Sequence, residues 1–166
     1  MTQNELVNEV LHIAAKITHN FKAVDGSCLY MSAMLAAMMN DHLPVDTRFV
    51  TGSLTVAGVK IFTHQPIKPT LSRKADIIRK WDGHAWVEVD DLIIDLSIFR
   101  TVFSEAASTR IQSLFEERFE RGTAYLIGQK HKLIEMGMEY TPLELLSDDD
   151  ATTFIQNASR MGLINC

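Results

Sequence analysis

The first part of the chain carries two segments whose apolar residues have helical spacing. Over residues 4–20 the apolar side chains recur every three or four positions, which predicts an amphipathic helix. Over residues 28–40 nearly every side chain is apolar or small, which is typical of a buried helix. The turn-forming Asp25, Gly26 and Ser27 precede this second helix, and Ser27 is the expected N-cap.

The middle of the chain alternates between apolar and polar positions as strands do. Residues 47–62 alternate loosely around two glycines, which predicts two strands joined by a turn. Residues 84–89 alternate strictly, and residues 92–96 form a second strand-like run after Asp90 and Asp91. The sequence therefore predicts a second hairpin whose turn consists of those two aspartates.

A two-residue turn fixes which side chains share a face of this second hairpin. Val89 then pairs with Leu92, and Trp86 pairs with Asp95. His84, Trp86 and Asp95 fall on one face, with His84 and Asp95 as diagonal neighbours about 7–8 Å apart by Cα. A shift of one residue in the pairing would move Asp95 to the opposite face.

The rest of the chain predicts one long connection followed mostly by helices. Residues 64–80 contain two prolines and many basic side chains, so we expect a loop or a partial helix there. Residues 109–137 have a largely helical apolar pattern. The segment Thr141-Pro142-Leu143-Glu144 has a cap residue, a proline at the first helical position and an acid in the first turn, which is typical of a helix start. Residues 148–162 predict a last short helix.

Composition indicates a single folded domain. The chain has 166 residues, of which 46% are apolar and 22% are charged, and this is enough to form a full core. We therefore expect one α+β domain over residues 1–166, with an added helical part over residues of about 104–164. The net charge of −5 argues against general nucleic-acid binding, which needs a basic surface.

No segment predicts export, membrane insertion or a cofactor site. The first twenty residues lack the apolar run of a signal peptide, and no stretch approaches the roughly 18 apolar residues of a membrane span. We expect a soluble, cytoplasmic protein that does not bind membranes. The six histidines form no helical ligand pair, and no Gly-rich phosphate loop occurs, so neither a metal nor an organic cofactor is predicted.

Of the two cysteines, Cys28 is the one in a structured context, because Cys166 stands at the end of the sequence. Two cysteines without an export signal do not predict a disulfide framework. A cysteine in the first turn of a helix lies beside unpaired N–H groups and the positive end of the helix dipole. Both favour the nucleophilic thiolate. The alternative is a buried cysteine that acts only as a small hydrophobic side chain.

Three segments, in order along the chain, share motifs with one known family. Gly26-Ser27-Cys28 precedes an Ala- and Met-rich helix, and the segment 43–52 carries the pattern Leu-Pro-Val-Asp-Thr-Arg-Phe-Val-Thr-Gly. The segment 83–89 has the pattern Gly-His-Ala-Trp-Val-Glu-Val and is followed by Ile94-Asp95-Leu96-Ser97. Together these segments, over residues of about 25–100, resemble the transglutaminase-like branch of the papain-like cysteine enzymes. The resemblance implies a papain-like α+β fold in which N-terminal helices pack on a small antiparallel sheet.

The resemblance also implies a chemistry. Cys28, His84 and Asp95 would form a catalytic triad in which Cys28 attacks a carbonyl carbon and forms a thioester. His84 would move the protons, and Asp95 would orient His84. The substrate would be a peptide, a protein or a small amide. Hydrolysis, as in peptidases, amidases and deamidases, and transfer to an amine both stay open, as does the oligomeric state.

Five further residues are candidates for substrate binding: Trp86, Asn20, Lys68, Arg73 and Lys74. The resemblance places an aromatic residue, here Trp86, beside the histidine. Asn20 is the nearest side-chain amide upstream of Cys28 and is a candidate oxyanion donor. Lys68, Arg73 and Lys74 belong to a basic strip that would attract a carboxylate-bearing substrate, unless it is only a solvated surface segment.

Some positions depart from the family pattern or point elsewhere. Asp46 stands where the family usually has Ala. Glu88 lies two residues beyond Trp86 on the same strand face, and we expect it to be solvated rather than part of the site. The alternative to an enzyme is a non-catalytic binding or regulatory module that retains the fold.

Overall fold

The structure, a computed structural model, describes residues 1–22, 27–69 and 81–164. Over these residues six helices surround one antiparallel sheet of six strands. The helices are α1 (Gln3–Asn20), α2 (Cys28–His42), α3 (Ile98–Val102), α4 (Thr109–Glu116), α5 (Lys130–Glu135) and α6 (Asp148–Arg160). The strands are β1 (Arg48–Val56), β2 (Val59–Phe62), β3 (His84–Val89), β4 (Leu92–Asp95), β5 (Leu126–Gln129) and β6 (Met138–Leu146).

Strand β1 is the centre of the sheet. One of its edges pairs with β6 along almost its whole length. The other edge pairs with β3 over the first half of β1 and with β2 over the second half. Strands β4 and β5 then continue the sheet beyond β3. The start of β3, where His84 lies, is therefore close to the point at which β2 takes over the edge of β1.

The two N-terminal helices form where their sequence patterns predict them. A capping box closes the start of α1, because Thr2 and Glu5 satisfy each other's backbone N–H groups. Helix α2 is buried on nearly all sides, as its apolar composition predicts. Ser27 occupies the predicted N-cap position of α2, directly before Cys28, but it has helical backbone angles and its side chain makes no capping bond.

Two hydrophobic layers cover the two faces of the sheet. Helices α1, α2 and α6 pack on one face, and α3, α4 and α5 pack on the other. Alternate residues of β3 point to the two layers, so Ala85 and Val87 face the first layer and Trp86 faces the second. His84 shares the direction of Trp86. Phe154 of α6 is fully buried in the first layer, and truncating such a side chain costs about 3–5 kcal/mol.

Both predicted hairpins form with the expected turns. Strands β1 and β2 are joined by Ala57 and Gly58, which both have positive φ angles of 49° and 74°. In the second hairpin Val87 pairs with Ile94 and Val89 pairs with Leu92, as the two-residue turn predicts. Asp90 reaches the left-handed region with φ of 50°, which aspartate tolerates better than most residues.

The helical part expected over about residues 104–164 is only partly present: Thr109–Glu116, Lys130–Glu135 and the predicted last helix, Asp148–Arg160, are helical, but two strands lie among them. Leu126–Gln129 and Met138–Leu146 are strands, and they pair with β4 and β1 respectively. The Thr-Pro-Leu-Glu segment around Pro142 lies inside β6 rather than at a helix start. A register shift opposite Thr51 and Gly52 lets the strand accommodate the proline. These residues therefore complete the sheet instead of forming a separate helical layer.

Over residues 1–22, 27–69 and 81–164, no helix has both the length and the apolar character needed to cross a bilayer.

Candidate active site

His84 and Asp95 meet at one end of the second hairpin. His84 is the first residue of β3, and Asp95 is the last residue of β4. The register of the hairpin places both side chains on the same face, and His84 Nε2 lies 2.5 Å from Asp95 Oδ2. Both side chains are buried. The structure therefore brings together two of the three residues that the resemblance predicts as a triad.

The Asp95 carboxylate is held by several further donors. Its Oδ1 accepts hydrogen bonds from the backbone N–H groups of Ser97, at 3.1 Å, and Ile98, at 3.0 Å, and from the Ser97 hydroxyl at 3.3 Å. Its Oδ2 accepts a bond of 2.9 Å from the Tyr140 hydroxyl. A carboxylate with this many donors is fixed in orientation. Asp95 can therefore hold the His84 ring in one position.

Tyr140 is a part of the site that the sequence does not predict. It lies in β6, which pairs with β1 and not with the β3–β4 hairpin. Burial raises the pKa of Tyr140 well above its ordinary value, and the neighbouring Asp95 charge raises it further. The phenol therefore stays protonated and acts as a donor to Asp95. No local pattern marks this residue, because its role depends on a strand pairing that spans the chain.

Cys28 and His84 line one cavity of about 290 Å³. Cys28 is the first residue of α2 and is 7% exposed. The Cys28 side chain is one of the groups that raise the pKa of His84. Since His84 Nε2 is engaged by Asp95, the ring nitrogen left for a further partner is Nδ1. The structure therefore places the His84 ring against Asp95 and in the wall of the cavity that Cys28 also lines.

The charge of His84 is set by opposing effects. Burial by itself lowers the pKa of His84, because a charged ring is poorly solvated inside the protein. The Asp95 charge and hydrogen bond outweigh this effect, and together with the Cys28 side chain they raise the pKa of His84 to about 10. At neutral pH His84 is therefore an imidazolium cation.

Two aromatic rings stack with the His84 ring. The Phe62 ring stacks on it at 4.4 Å between centroids with an angle of 7°, and the Trp86 ring lies 6.2 Å away at 27°. Aromatic rings stacked with a cation stabilise it, and their packing restricts its rotation. Trp86, a predicted substrate-binding residue, is fully buried and does not line the cavity. Its ring packs against His84 and Tyr140, and its indole N–H donates to Glu88.

The expectation that Glu88 is solvated is wrong. Glu88 is fully buried, and its carboxylate accepts hydrogen bonds from Trp86 Nε1 at 3.0 Å, Arg48 Nη1 at 2.9 Å and Lys130 Nζ at 2.8 Å. Helices α3, α4 and α5 pack on this face of the sheet, which alternation within one hairpin does not reveal. Glu88 therefore fixes the indole that supports His84.

The other predicted binding residues do not line the described cavity. The Asn20 amide is exposed and donates to Lys16 O at 2.9 Å at the end of α1. Lys68 is exposed, and its backbone N–H donates to Glu144 Oε2 at 3.2 Å. Arg73 and Lys74 lie outside the described residues. The role of the basic strip stays a prediction.

Several cavity walls come from residues that sequence analysis did not single out. The lining includes Trp81, whose indole N–H donates to Gln65 O at 2.7 Å. The Trp81 ring lies against Gly83, and a Cβ on that glycine would come within 2.2 Å of the ring. The remaining lining residues are Leu29, Ile61, Phe62, Thr63, Asp82 and Thr101.

A smaller apolar pocket adjoins this cavity. Its volume is about 180 Å³, and it shares Ile61, Phe62 and Thr101 with the Cys28 cavity. Val102, Ala107 and Ile111 contribute to its remaining walls. The polar side chains of Cys28 and His84 therefore lie beside an apolar compartment.

Among the described residues, no group of three or more His, Cys, Asp or Glu side chains is arranged to hold a metal ion. Comparison with known family models, with curated proteins and with solved structures finds no match to this chain. Its function is therefore inferred from the site alone.

Proposed function

We propose that the protein is a cysteine-dependent enzyme that cleaves an amide bond through a thioester on Cys28. Its fold class would then be the papain-like, transglutaminase-like one that the sequence motifs resemble. The observation that carries the proposal is the position of the His84 ring. The ring bonds Asp95 and lines the same cavity as Cys28.

The charge of His84 supports this assignment. An imidazolium next to a cysteine stabilises the thiolate form, which is the nucleophile. The position of Cys28 at the first residue of α2 adds the unpaired N–H groups and dipole of the helix start. The same N–H groups are available as donors to the oxyanion that forms when the sulfur attacks a carbonyl.

The proposed reaction begins when Cys28 Sγ attacks the amide carbonyl carbon and the carbonyl electrons move to oxygen. The tetrahedral intermediate collapses as His84 gives its proton to the leaving nitrogen, and the amine departs from a thioester. The neutral His84 then takes a proton from water, which attacks the thioester and releases the carboxylic acid and the Cys28 thiolate. An amine in place of water gives a new amide instead.

The cleft favours a particular kind of substrate. The apolar pocket beside Cys28 suits an apolar side chain of the acyl group, since burial of such a group stabilises the bound state. Peptides, proteins and small amides with such a group are the proposed substrates.

Thiol labelling tests the state of Cys28. We expect iodoacetamide at pH 6 to modify Cys28 faster than Cys166, because an ordinary thiol with a pKa of about 8.5 is mostly protonated there. Cys166 in the same chain is the matched control, and peptide mass spectrometry quantifies both sites. His84→Gln should slow labelling at Cys28 and leave Cys166 unchanged. A Cys28 that labels no faster than Cys166 would support the non-catalytic alternative.

Activity measurements test the reaction itself. Amide hydrolysis and amine transfer are followed by mass spectrometry on a library of peptide amides with apolar acyl residues. Cys28→Ala should remove all turnover. Asp95→Asn should lower kcat about a thousandfold or more, because the amide no longer stabilises the imidazolium. A peptide aldehyde that forms a hemithioacetal on wild-type Cys28, but not on Cys28→Ala, would confirm the nucleophile independently of the natural substrate.

A further inference from the structure

Glu144 of β6 holds a segment of the chain that lies outside the strands. Its Oε1 accepts a hydrogen bond of 2.8 Å from the Ile67 N–H, and its Oε2 accepts one of 3.2 Å from the Lys68 N–H. The Thr51 hydroxyl of β1 also donates to Oε1, at 3.2 Å. Hydrogen bonds to a carboxylate are stronger than those between neutral groups. The Glu144 carboxylate therefore fixes the backbone at Ile67 and Lys68 against β1 and β6.

The His64 ring belongs to the same cluster. Its Nε2 lies 3.0 Å from the Thr51 hydroxyl oxygen and 3.9 Å from Glu144 Oε1. Burial lowers the pKa of His64, although the Glu144 charge opposes this effect, so the ring is neutral at pH 7. The charge of Glu144 is therefore stabilised by the two backbone N–H groups and the Thr51 hydroxyl, and not by a histidine cation.

Trp81, which lines the Cys28 cavity, is held from two sides by this segment. The His64 ring meets the Trp81 ring edge-on, with 6.2 Å between the centroids and an angle of 87° between the planes. The Trp81 indole N–H donates to Gln65 O at 2.7 Å. The Gln65 N–H in turn donates to the backbone carbonyl of Asp82, also at 2.7 Å. The position of the Trp81 ring therefore depends on where His64 and Gln65 lie.

The connection from Gln65 to the backbone held by Glu144 is short and stiff. Pro66 separates Gln65 from Ile67, and its ring fixes its own φ angle. A proline also restricts the residue before it, here Gln65, to extended conformations. A displacement of Ile67 is therefore passed to Gln65 and to the indole that Gln65 binds.

We propose that Glu144 is a positioning residue of the Cys28 cavity, which acts through residues 64–68 to place Trp81 against the bound substrate. This role rests on the proposed function, because that function supplies the substrate that Trp81 contacts. Glu144 is not among the described lining residues of the cavity. Its effect should therefore fall on the affinity for a ligand that fills the cavity, and not on the reactivity of the Cys28 thiol.

The first test is the indole N–H signal of Trp81 in NMR spectra of the full chain. The chain has two tryptophans, so the Trp81→Phe variant assigns both signals. In Glu144→Ala we expect the Trp81 signal to move and its exchange with water to become faster, because the hydrogen bond to Gln65 is no longer held in place. Trp86 is the internal reference and should keep its signal, since it lies in the other hydrophobic layer from Ile67.

The second test separates ligand affinity from thiol reactivity. N-acetyl-leucinal, an aldehyde with an apolar side chain, forms a hemithioacetal when the Cys28 sulfur adds to the aldehyde carbon and the thiol proton passes to the oxygen. We expect Glu144→Ala to weaken this adduct about tenfold, because the wall at Trp81 is displaced. The rate of Cys28 with iodoacetamide, a reagent too small to need this wall, should stay within about twofold of the wild type. An equal loss with both reagents would show damage to the nucleophile itself and would overturn the positioning role.

Two further variants complete the design. Glu139→Ala removes an exposed glutamate from the same strand, and it should leave both the Trp81 signal and the affinity for the aldehyde unchanged. Glu144→Gln keeps one oxygen for the Ile67 N–H but none for the Lys68 N–H, so it should weaken the adduct about threefold. If circular dichroism shows that Glu144→Ala does not fold, Glu144→Gln takes its place in both tests.

Two other results would also overturn the proposal. One is a wild-type Trp81 signal in the folded Glu144 variant, which would mean that the carboxylate does not hold the indole. The other is a moved Trp81 signal with unchanged affinity for the aldehyde, which would limit Glu144 to supporting residues 64–68. Failure of the proposed function looks different, because Cys28 would then form no hemithioacetal even in the wild type. That result would end the positioning role as well, but it would not be mistaken for an effect of Glu144.

Discussion

The Tyr140 hydroxyl and the Asp95 carboxylate, 45 residues apart in the chain, are joined by a hydrogen bond of 2.9 Å. The acceptor is Oδ2, the same oxygen that bonds His84 Nε2. His84 and Tyr140 therefore share one oxygen of Asp95. The bond from Tyr140 takes up part of the negative charge of Asp95 and weakens its attraction for the His84 ring. Tyr140 thus acts on His84 through Asp95, which makes it a positioning residue of the proposed site.

Removal of this bond should change both the charge state of His84 and the rate. In Tyr140→Phe the Asp95 oxygen interacts with His84 alone, so we expect the pKa of His84 to rise further. A less acidic imidazolium protonates the leaving group more slowly, and kcat should fall about fivefold to tenfold with little change in KM. NMR titration of the His84 ring and steady-state kinetics measure the two effects.

A matched tyrosine distinguishes this role from general packing. Tyr125 is half-buried, and its hydroxyl is not among the described donors to Asp95, so Tyr125→Phe should leave the His84 titration unchanged. A Tyr140→Phe variant that is less stable but shows the wild-type pKa of His84 would limit Tyr140 to a structural role.

The raised pKa of His84 predicts a stability that depends on pH. The protonated ring is favoured in the folded state, because its pKa there is about 10 against an ordinary value of 6.5. The contribution of the protonated His84 ring to the free energy of unfolding is fully present below pH 6.5 and is lost as the pH rises through about 10. Urea unfolding between pH 6 and pH 10 should show this loss.

Asp95→Asn tests the cause of the dependence. Burial, which lowers the pKa of His84, then acts without the opposing charge, so the variant should hold His84 neutral at pH 7 and lose most of the dependence. His131→Gln is the control, because this exposed histidine pairs with Asp91 away from the site. Equal slopes in the wild type and in Asp95→Asn would exclude His84 as the source.

The buried Glu88 predicts a large difference between two substitutions. Glu88→Ala leaves the Trp86 N–H without an acceptor in the core and should cost about 3 kcal/mol or more of unfolding free energy. Glu88→Gln keeps an oxygen for Trp86 and should cost only about 1–2 kcal/mol, because Arg48 and Lys130 are partly exposed and can turn to water.

Chemical denaturation measures both Glu88 variants. Glu139→Ala, which removes an exposed glutamate of β6, is the surface control and should stay within about 0.5 kcal/mol of the wild type. If Glu88→Ala were as mild as this control, the three hydrogen bonds to Glu88 would contribute little, and Trp86 would not depend on them.

Local sequence patterns predict the N-terminal helices, both hairpins and the proximity of His84 and Asp95, because each depends on spacing within a short segment. They do not predict the contribution of Tyr140, the burial of Glu88 or strand β6. These depend on how β6 pairs with β1 and on which helices cover the sheet. Pro142 also makes β6 hard to predict, because proline is rare inside strands. In this sheet it lies beside a register shift in the β1–β6 pairing.

The last prediction concerns Gly52, which faces His84 in the β1–β3 pairing. A Cβ on Gly52 would come within 2.0 Å of the Thr141 carbonyl oxygen and 2.7 Å of the Trp86 ring. The backbone of β6 and the ring that supports His84 would both have to move. We expect Gly52→Ala to cost about 3 kcal/mol of stability and to lower activity even where the protein is fully folded.

Gly128→Ala is the control for Gly52, since it also places a methyl group in a strand of this sheet. Its Cβ would meet only the Leu133 side chain, at 3.0 Å or more, and that side chain can move aside. The cost there should be about 1 kcal/mol, with the His84 ring signals unchanged. If Gly52→Ala kept wild-type stability and wild-type His84 signals, the close approach of β6 to the site would have no part in positioning Trp86 against His84.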